Sequence, residues 1–374
     1  MSGRPRLAYL SLETPRPGQA SQTHIDEIVA SLREAGWAVE LFATTSGGAS
    51  ARSSYARRLA GYARVQLRLI RDLPRFDALF VRSHFMALPA VLWARRLGQP
   101  VFQEINGTPA DIGVTYPALK LFAPLFAWLY RAQYRRADHL FAVTDGLADW
   151  ARRFAGHDRV SVVPNGANTT LFCPDGPDAG LEGRYVAFVG GLVAWHGIGT
   201  MLAALADPGW PRDVRLVIVG DGIERERLAG VPADGRLLWL GRQAYGDVPP
   251  VLRGALAALC VIEDQDGRSA SGVAPLKLYE AMACGIPVIV SDLPFQAELV
   301  RGAGAGLIVP PAAPQALAAA VAALAADPQA QAMGARGAAY VEREASWHQR
   351  GRQIDTVLRR TLPASGGKPA EPAP

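Results

Sequence analysis

The segment SGVAPLKLYEAMACGIPVIVSD, Ser271 to Asp292, contains a helix start, one acidic residue and a strand start in direct succession. Pro275 suits the first turn of a helix, where its missing N–H costs nothing, and Gly285 suits the helix end. The small-residue loop from Ser269 to Ala274 therefore leads into a helix N-terminus, where backbone amides and the helix dipole can hold an anion. Glu280 lies about one and a half turns into that helix. Its carboxylate can accept hydrogen bonds from vicinal hydroxyls such as those of a ribose.

Alternating strands and helices extend on both sides of this segment. Repeated strand–helix–strand units predict parallel sheets with helices on both faces. Two such series predict an α/β protein of two doubly wound domains, with ligand sites at the carboxyl ends of the strands. A helix is expected from Thr23 to Ala35, with Thr23 as its N-cap and Gly36 after its end. The expected strands are Arg6–Leu12, Val39–Ala43, Ala78–Val81, Pro100–Ile105, Leu140–Val143, Tyr185–Val189, Val214–Val219, Leu237–Leu240, Leu259–Ile262 and Pro287–Ser291.

The domain boundaries are predicted from the places where proline and glycine cluster. A hinge is expected near Val163–Asp178. The prediction is an N-terminal domain at 1–166, a C-terminal domain at 167–344, a terminal helix at 345–362 and a tail at 363–374. The tail is rich in Pro, Gly and Ala, and we therefore expect it to be disordered.

Composition limits the class of protein. The chain has 374 residues, of which 49% are hydrophobic, enough for two buried cores. Its cysteines, Cys173, Cys260 and Cys284, are scattered. That spacing predicts neither a disulfide framework nor a metal site, and it favours a reducing cytoplasm. No run of about 18 uncharged apolar residues occurs, so a membrane-spanning helix is not expected.

The positive charge lies in the first half of the sequence. Residues 1–180 carry 21 Lys and Arg against 15 Asp and Glu, hence +6, and the remainder carries 18 against 19, hence −1, which together give the net +5. Two stretches, Ala51–Phe76 and Tyr116–Arg136, combine arginines with apolar residues. Such helices can lie on an anionic membrane surface, but an arginine-rich solvated face on an ordinary core has the same pattern. Nucleic acid is not an expected partner, because no nucleic-acid-binding module is recognisable.

Several stretches of the sequence resemble the family-four retaining glycosyltransferases, which have the GT-B fold. Ser271–Asp292 is similar to the family's nucleotide-sugar signature, and a weaker similarity, LGRQAYGDVPPVL, starts at Leu240. The resemblance is close from Val162 to Pro310 and covers the N-terminal half only in outline. Three further stretches follow in the family's order and spacing: VVPNGANTTLF from Val162, FVGGLVAWHGIGTML from Phe188 and LVIVGDGIERERL from Leu216.

The resemblance implies two Rossmann-like domains facing across a cleft. The first would bind the acceptor and the second the donor, and the terminal helix would cross back to the first. The implied enzyme is a metal-independent hexosyl- or glycosyltransferase without a cofactor, in the cytoplasm or at the inner face of the cytoplasmic membrane. It would move a sugar, with retention, from a UDP or GDP sugar to a hydroxyl of a glycan or lipid-linked acceptor, as in bacterial cell-surface polysaccharide or glycolipid synthesis. The alternatives are a nucleotide-sugar-binding protein with little transfer activity and a nucleotide-sugar epimerase.

The cationic positions of the family are altered in this chain. An Arg after the first glycine and a Lys before the later glycine are replaced by Gly191 and His196. His196 can donate a hydrogen bond to phosphate and becomes charged if a diphosphate raises its pKa. Lys277, one of three lysines, is a second candidate for the phosphate. The alternatives are a helix-start histidine without a ligand, a surface or structural Lys277 and a solvated Glu280.

Two other family positions are also altered. Gly272 stands where many members carry a first glutamate, so the sugar-facing role would pass to backbone amides. Asn106 stands roughly where the family has a histidine, and strand alternation puts it on the same side as Glu104. Asn106 can bind a sugar hydroxyl, and Glu104 could do acid–base work if it faces the cleft. Glu104 could instead be a structural carboxylate bonded to loop amides, and His84 is a further cleft candidate.

The resemblance thus gives two sets of site residues and no metal ligand. The catalytic candidates are His196, Lys277, Glu104 and Asn106. The donor-binding candidates are Gly18, Gly190, Gly191, Gly220, Arg242, Gly272, Val273, Ala274, Leu276 and Glu280.

Overall fold

The computed structural model describes residues 4–13, 19–44, 55–115, 117–230, 234–264 and 267–362. Gly18 and the expected disordered tail lie outside the described residues. The first sheet contains β1 (Arg6–Ser11), β2 (Ala38–Ala43), β3 (Ala78–Arg82), β4 (Val101–Ile105), β5 (His139–Ala142) and β6 (Val160–Val162). The second contains β7 (Arg184–Val189), β8 (Val214–Val219), β9 (Leu237–Gly241), β10 (Ala257–Cys260), β11 (Val288–Ser291) and β12 (Gly306–Val309).

Both sheets are parallel and six-stranded, which confirms the predicted α/β architecture. The strand orders are β2-β1-β3-β4-β5-β6 and β12-β11-β10-β7-β8-β9. The order reverses beside β1 in the first sheet and beside β7 in the second, and such reversals open a crevice at the carboxyl ends of the strands. The second reversal lies between β7 and β10, so the loops that follow these two strands line the crevice of the second sheet.

Helices cover the faces of the sheets, as right-handed crossovers between parallel strands require. Short 3₁₀ turns lie between several of them, and a π-helical turn spans Val341–Ala345. The helices are α1 (Ala20–Glu34), α2 (Tyr55–Asp72), α3 (Leu88–Arg96), α4 (Ala110–Thr115), α5 (Ala123–Tyr134), α6 (Asp145–Ala155), α7 (Ile198–Ala206), α8 (Val248–Arg253), α9 (Leu276–Ala283), α10 (Gln296–Ala303), α11 (Pro314–Ala326), α12 (Ala330–Tyr340) and α13 (Trp347–Thr361).

The ten predicted strands are all present, with ends shifted by at most two residues. Two further strands, β6 and β12, were not predicted. Both are edge strands of three and four residues. They are only partly buried, whereas the equally short β5, β10 and β11, which were predicted, are buried throughout.

The start of α1 was predicted wrongly. The helix begins at Ala20, after Gln19, whose side chain makes no capping hydrogen bond. Thr23 therefore lies in the first turn and is not the N-cap. The predicted end is close to the observed one, because Gly36 has a φ of 95° that ordinary residues avoid.

The core of the first domain is rich in aromatic rings. Tyr9 of β1 stacks on Phe80 of β3 at 5.1 Å between ring centroids, and Phe80 stacks on Phe141 of β5 at 5.7 Å. All three side chains are fully buried or nearly so. The central strands are thus held together by ring contacts as well as by the backbone ladder.

The C-terminal helix α13 packs on α1 of the first domain. The Trp37 indole N–H donates a hydrogen bond to Asp355 at 2.6 Å. Ile354 and Leu358 are buried in the same cluster as Leu32 of α1. The end of the chain therefore contributes to the first domain's core.

Within the described ranges of the chain, no helix is both long and apolar enough to cross a bilayer.

Candidate functional site

Two glycine turns meet where β7 and β8 end. Gly190 and Gly220 have φ values of 152° and 138°. A Cβ on Gly220 would collide with the carbonyl of Gly190, and one on Gly222 would collide with the carbonyl of Leu192. Only glycine allows the two loops to approach this closely. The two loops thus form a narrow backbone-lined floor at the carboxyl edge of the second sheet.

Lys277 lies next to this floor, in the first turn of α9. Its Nζ is 4.2 Å from the centroid of the Phe188 ring and is buried. Among the described residues, it has no hydrogen-bond partner. A Cβ on Gly190 would be 3.2 Å from the same Nζ, so the ammonium faces the glycine turn. Burial lowers its pKa to about 8, although Cys260 and Glu280 act in the opposite direction.

His196 lies beside the same turn, where a Cβ on Gly190 would be 3.8 Å from its Nδ1. Its Nδ1 donates a hydrogen bond to the Gly191 carbonyl at 2.6 Å, since a carbonyl oxygen only accepts. In a neutral ring, Nε2 is then an acceptor and cannot donate to phosphate. Burial and, secondarily, Lys277 lower the pKa of His196 to about 3. The unliganded site therefore carries its charge on Lys277, and His196 can serve a phosphate as a donor only after taking up a proton.

Glu280 lies one turn beyond Lys277 and is only 7% exposed. The solvated alternative for Glu280 is therefore wrong, and the buried Nζ of Lys277 excludes a surface charge there. Burial raises the pKa of Glu280 to about 7, with a contribution from Glu27, while the Tyr245 hydroxyl and Lys277 favour its ionised form. A carboxyl poised between its two protonation states is suited to a ligand whose hydroxyls donate to it.

The loop that precedes α9 contacts the first domain. The Thr144 hydroxyl donates to the Ser271 carbonyl at 2.5 Å, and the Asn165 amide donates to the Ala274 carbonyl at 2.5 Å. Gly272, with a φ of 89°, would bring a Cβ within 3.1 Å of Thr144 Cβ. The glycine at this position is therefore required by a close approach between the domains.

The backbone amides of this loop are only partly available. The N–H of Gly272 donates to the Ser269 carbonyl at 2.8 Å, and the N–H of Val273 donates to the Pro294 carbonyl at 3.2 Å. These two amides cannot take over the sugar-facing role that the sequence suggested without breaking those bonds. The amide of Leu276, as the first residue of α9, has no acceptor within the helix and remains the better candidate.

Arg242 is the last of the donor-binding candidates that lie among the described residues. It follows directly after β9 and is exposed. It therefore lies at the same carboxyl edge as the two glycine turns.

Glu104, at the carboxyl end of β4 in the first sheet, belongs to a buried charge cluster. Its Oε1 is 2.7 Å from Arg82 Nη1 and 2.6 Å from His24 Nε2, and it accepts a hydrogen bond from the Asn106 amide at 2.5 Å. Burial alone would raise its pKa, but His24, Arg82 and Asn106 outweigh burial and lower the pKa to about 2.

These contacts correct two expectations about Glu104. An acid–base role is disfavoured, because a carboxylate with so low a pKa holds no proton at neutral pH. The expected structural alternative was also inexact, since the partners are side chains and not loop amides. Asn106 is an exposed residue beside Glu104, and its side-chain amide donates one of its two N–H groups to Glu104.

His84, the further cleft candidate, is held by contacts with residues next to it in the sequence. Its Nδ1 accepts a hydrogen bond from the Met86 amide at 3.2 Å, and its ring stacks on Phe85. Burial lowers its pKa to about 4.

Sequence reasoning missed several residues of this region. They come from both domains and include His24, Thr144, Asn165 and Tyr245. Asn165 lies in a stretch that the resemblance had singled out, and Thr144 precedes a helix as an N-cap does. Nothing in the local sequence indicates that His24 reaches Glu104, because that contact depends on the packing of α1 over the sheet.

The fold is that of the GT-B glycosyltransferases. The structure superposes on sucrose-phosphate synthase from Thermosynechococcus elongatus with a TM-score of 0.75 and 20% identity, covering 96% of this chain and 99% of that one. It superposes on Anabaena HepE, solved with UDP and glucose, with a TM-score of 0.70 and 16% identity over 94% and 99% of the chains. At these identities the likeness shows the fold alone.

Two family models match the sequence. Residues 21–171 match Glycosyltransferase Family 4, and residues 183–327 match Glycosyl transferases group 1. The chain belongs to this glycosyltransferase family, and the predicted resemblance is confirmed. A GDP-mannose-dependent alpha-mannosyltransferase of Mycobacterium tuberculosis is 31% identical over 261 residues, 65% of this chain and 63% of that protein. The chain spans between 20% and 63% of the length of the curated relatives it matches.

Proposed function

We propose that this glycosyltransferase moves a sugar, with retention, from a nucleoside-diphosphate sugar to a hydroxyl of a glycan or lipid-linked acceptor. The observation that carries the proposal is the buried Lys277 ammonium, which faces the glycine turn at Gly190 without a hydrogen-bond partner among the described residues. A diphosphate is a ligand that satisfies such a cation. Glu280, one turn further along α9, is placed to accept the hydroxyls of the ribose.

The chemistry requires charge stabilisation at the leaving group. As the bond between the anomeric carbon and the diphosphate breaks, negative charge grows on the phosphate oxygens. Lys277 and the first-turn amides of α9 would hold that charge in a partly desolvated site, where fixed donors are worth most. Metal independence is part of the proposal, since Lys277 would supply the positive charge.

The proposed retaining reaction does not depend on a protein base. The acceptor hydroxyl would attack from the face that the diphosphate leaves, and its proton would pass to a phosphate oxygen of the departing group. The low pKa of Glu104, about 2, fits this scheme, because that carboxylate is too weak a base to take the proton. Asn106 could still orient a sugar hydroxyl through its amide.

The nucleotide is proposed as UDP or GDP. The Anabaena protein with this fold was solved with UDP, and the mycobacterial relative is described as GDP-mannose-dependent. Both donor types are therefore reasonable for this chain, and both belong in the first experiment.

A lipid-linked acceptor is supported by one surface of the first domain. On α5 and the turn before it, Leu121 is 85% exposed and Trp128 60% exposed, and Leu125 and Phe122 are exposed as well. Arg131 and Arg135 border a groove of about 310 Å³ next to Trp128. Exposed apolar side chains with arginines beside them are suited to the surface of an anionic membrane. We propose a peripheral contact there, at the inner face of the cytoplasmic membrane.

The other basic stretch gives weaker support for membrane contact. Leu69 and Leu73 of the α2 region are fully buried, and Tyr62 and Val65 pack against the same core cluster. That side of α2 is used by the fold, as in the ordinary-core alternative. Leu59 and Leu67 of α2 are exposed, at 49% and 68%, so the difference from the second stretch lies in the exposed aromatic side chains Phe122 and Trp128.

The test of the proposed function is a donor panel. Melting temperature would be measured with UDP, GDP, UDP-glucose and GDP-mannose, followed by assays of nucleotide release with and without glycan or lipid-linked acceptors. A binding donor raises the melting temperature according to its occupancy. Transfer to an acceptor supports the proposal. Binding without release would favour the nucleotide-sugar-binding alternative, and no binding to any donor would overturn the proposal.

A further inference from the structure

A continuous chain of polar contacts joins the buried cluster of the first sheet to the loop before α9. His24 Nε2 is 2.6 Å from Glu104 Oε1, and His24 Nδ1 is 2.7 Å from Asn165 Oδ1. The Asn165 amide then donates to the Ala274 carbonyl at 2.5 Å. The chain therefore crosses from β4 through α1 and the interdomain segment to the loop that precedes Lys277.

The orientation of the Asn165 side chain is fixed by chemistry. A carbonyl only accepts, so the NH₂ group of Asn165 must face Ala274, and its Oδ1 must face His24. The other ring nitrogen of His24 lies 2.6 Å from the Glu104 carboxylate, so the ring is in contact with both neighbours.

Other charged groups hold Glu104 in place beside His24. Glu104 is paired with Arg82, which also holds Glu13 at 2.8 Å. Tyr9 donates its hydroxyl to Glu104, and the Trp347 ring closes the other side of His24 at 5.0 Å.

Two further groups border the chain. The Arg350 guanidinium donates to the backbone carbonyl of Asn165 at 3.2 Å. Glu27 lies one turn along α1 from His24 and accepts a hydrogen bond from Asn168 at 2.9 Å. Both are held by other partners, so neither competes for the ring nitrogens of His24.

We propose that His24 and Asn165 are positioning residues for the donor reaction. They hold the Ala274 carbonyl, three residues before Lys277, and so fix the first turn of α9 relative to the wall of the first domain. Thr144 holds the same loop at Ser271. The loop is thus tethered to the first domain at two points, and freeing one of them would let the phosphate-facing groups shift. Misplacement by about 1 Å can cost roughly a hundredfold in rate. This inference rests on the proposed function.

The experiment uses His24→Gln, Asn165→Asp and the double variant in the full-length protein. Asn165→Asp keeps an oxygen for His24 but turns a second oxygen towards the Ala274 carbonyl, so it cuts only the last bond. The matched control is His348→Gln, because His348 is an exposed histidine on α13 that faces Glu34 at 3.4 Å. Binding of UDP and GDP is measured by calorimetry, and nucleotide release from UDP-glucose and GDP-mannose gives kcat and KM.

We expect kcat to fall about tenfold or more in both single variants, with nucleotide Kd changed less than about threefold and melting temperature nearly unchanged. The double variant should be no slower than the worse single one, because both cut the same chain. His348→Gln should match wild type. If His24→Gln does not fold, Asn165→Asp alone decides the question.

Two outcomes would count against the inference in different ways. Folded variants with wild-type kcat, or losses that simply add in the double variant, would overturn the positioning role while leaving the proposed function intact. A wild-type protein that neither binds a nucleotide nor releases one from a donor would overturn the proposed function, and the positioning role with it.

Discussion

The buried charged side chains at the carboxyl edges of the two sheets differ in how they are paired. At the first edge, Glu104 lies within 2.7 Å of both Arg82 and His24, and Arg82 also pairs with Glu13. At the second edge, Lys277 is buried without a hydrogen-bond partner among the described residues, and the pKa of Glu280 is raised to about 7. A buried charge with partners is compatible with stability, whereas one without partners costs free energy.

The difference indicates which edge is completed by a ligand. At the first edge the Arg82 guanidinium is already paired with two carboxylates, Glu13 and Glu104, so it is not free to bind a donor diphosphate. The second edge holds a cation and glycine turns that a diphosphate would satisfy. The same comparison predicts that substitutions at the second edge reduce activity without reducing stability.

The largest effect is expected for Lys277→Met. Nucleotide release should fall at least a hundredfold, since one preorganised donor to a developing anion can be worth that much. The free energy of unfolding at pH 7 should not fall. Lys277 has an ordinary pKa in the unfolded chain and a pKa of about 8 in the folded protein. Burial of its charged form therefore costs up to about 3 kcal/mol of stability, and this cost develops as the pH falls from the ordinary lysine pKa to below 8.

The matched control for this variant is Lys120→Met, at an exposed lysine of the first domain. Donor assays and chemical unfolding would be run on both variants. A loss of stability in Lys277→Met, or wild-type turnover in it, would contradict the division between the two edges.

Glu280→Gln should give the next largest effect. UDP or GDP affinity should weaken by roughly 1.5–3 kcal/mol, the range for a hydrogen bond to a charged group. Above pH 7 the variant should be the more stable protein, because burial raises the pKa of Glu280 to about 7 and the folded carboxylate is disfavoured. That gain should shrink as pH falls from 7 and vanish near pH 4.5, where the unfolded side chain is protonated too.

Calorimetry and urea unfolding at pH 5 and pH 8 would check the Glu280 prediction. Wild-type nucleotide affinity in the variant would remove Glu280 from the proposed site. A stability difference that does not change with pH would show that its carboxyl is not the buried titrating group described here.

Nucleotide affinity of the wild-type protein should depend on pH with a maximum between about 7 and 8. Below pH 7, Glu280 takes up a proton and can no longer accept from two hydroxyls as an anion. Above pH 8, Lys277 loses its proton and with it the attraction for a diphosphate. Nucleotide affinity would be measured from pH 5.5 to 9. The fall in affinity on the acidic side should disappear in Glu280→Gln, and the fall on the alkaline side should disappear in Lys277→Met. A fall that persists in the corresponding variant would have to be assigned to another group.

The sequence predicted the fold well because the fold depends on patterns within short segments. Each long strand has its own apolar run, and the glycine turns at Gly190 and Gly220 were visible as motifs. The edge strands β6 and β12 were missed because they are only partly buried, unlike the four-residue strands β5, β10 and β11, whose residues are all buried.

The site was predicted less completely, for a different reason. Lys277 and Glu280 could be singled out because they lie on one helix, at a spacing that a sequence displays. The contacts of Glu104 could not, because Arg82 and His24 reach it from β3 and α1, which are distant in sequence. The acid–base expectation for Glu104 failed on those two contacts.

A smaller effect is expected for His196. If donor binding raises its pKa from about 3, the imidazolium can donate to the diphosphate from Nε2 while Nδ1 keeps its bond to Gly191. His196→Ala should then lower activity by about ten- to a hundredfold at pH 6, since a charged hydrogen bond is roughly twice as strong as a neutral one. The ratio between wild type and variant should narrow as pH rises and the complexed histidine loses its proton. A ratio that is constant with pH would limit His196 to holding the turn through Gly191.

The smallest effect on catalysis is expected at the exposed face of α5, which lies outside both edges. Arg131 and Arg135 stand beside the exposed Trp128, whereas α2 packs Leu69 into the core and exposes the aliphatic Leu59 and Leu67. Arg131→Glu with Arg135→Glu should therefore reduce binding to anionic liposomes by roughly 1 kcal/mol or more for each charge reversed. Arg64→Glu with Arg71→Glu makes the same charge change on α2 and should have a smaller effect on liposome binding.

Turnover with a soluble acceptor should stay within about twofold of wild type in both double variants, because neither pair belongs to the donor edge. Co-sedimentation with phosphatidylglycerol vesicles at low salt measures the first quantity and nucleotide release the second. Equal losses of vesicle binding in the two variants would mean that net charge alone drives binding, and the α5 face would then have no special role in presenting a lipid-linked acceptor.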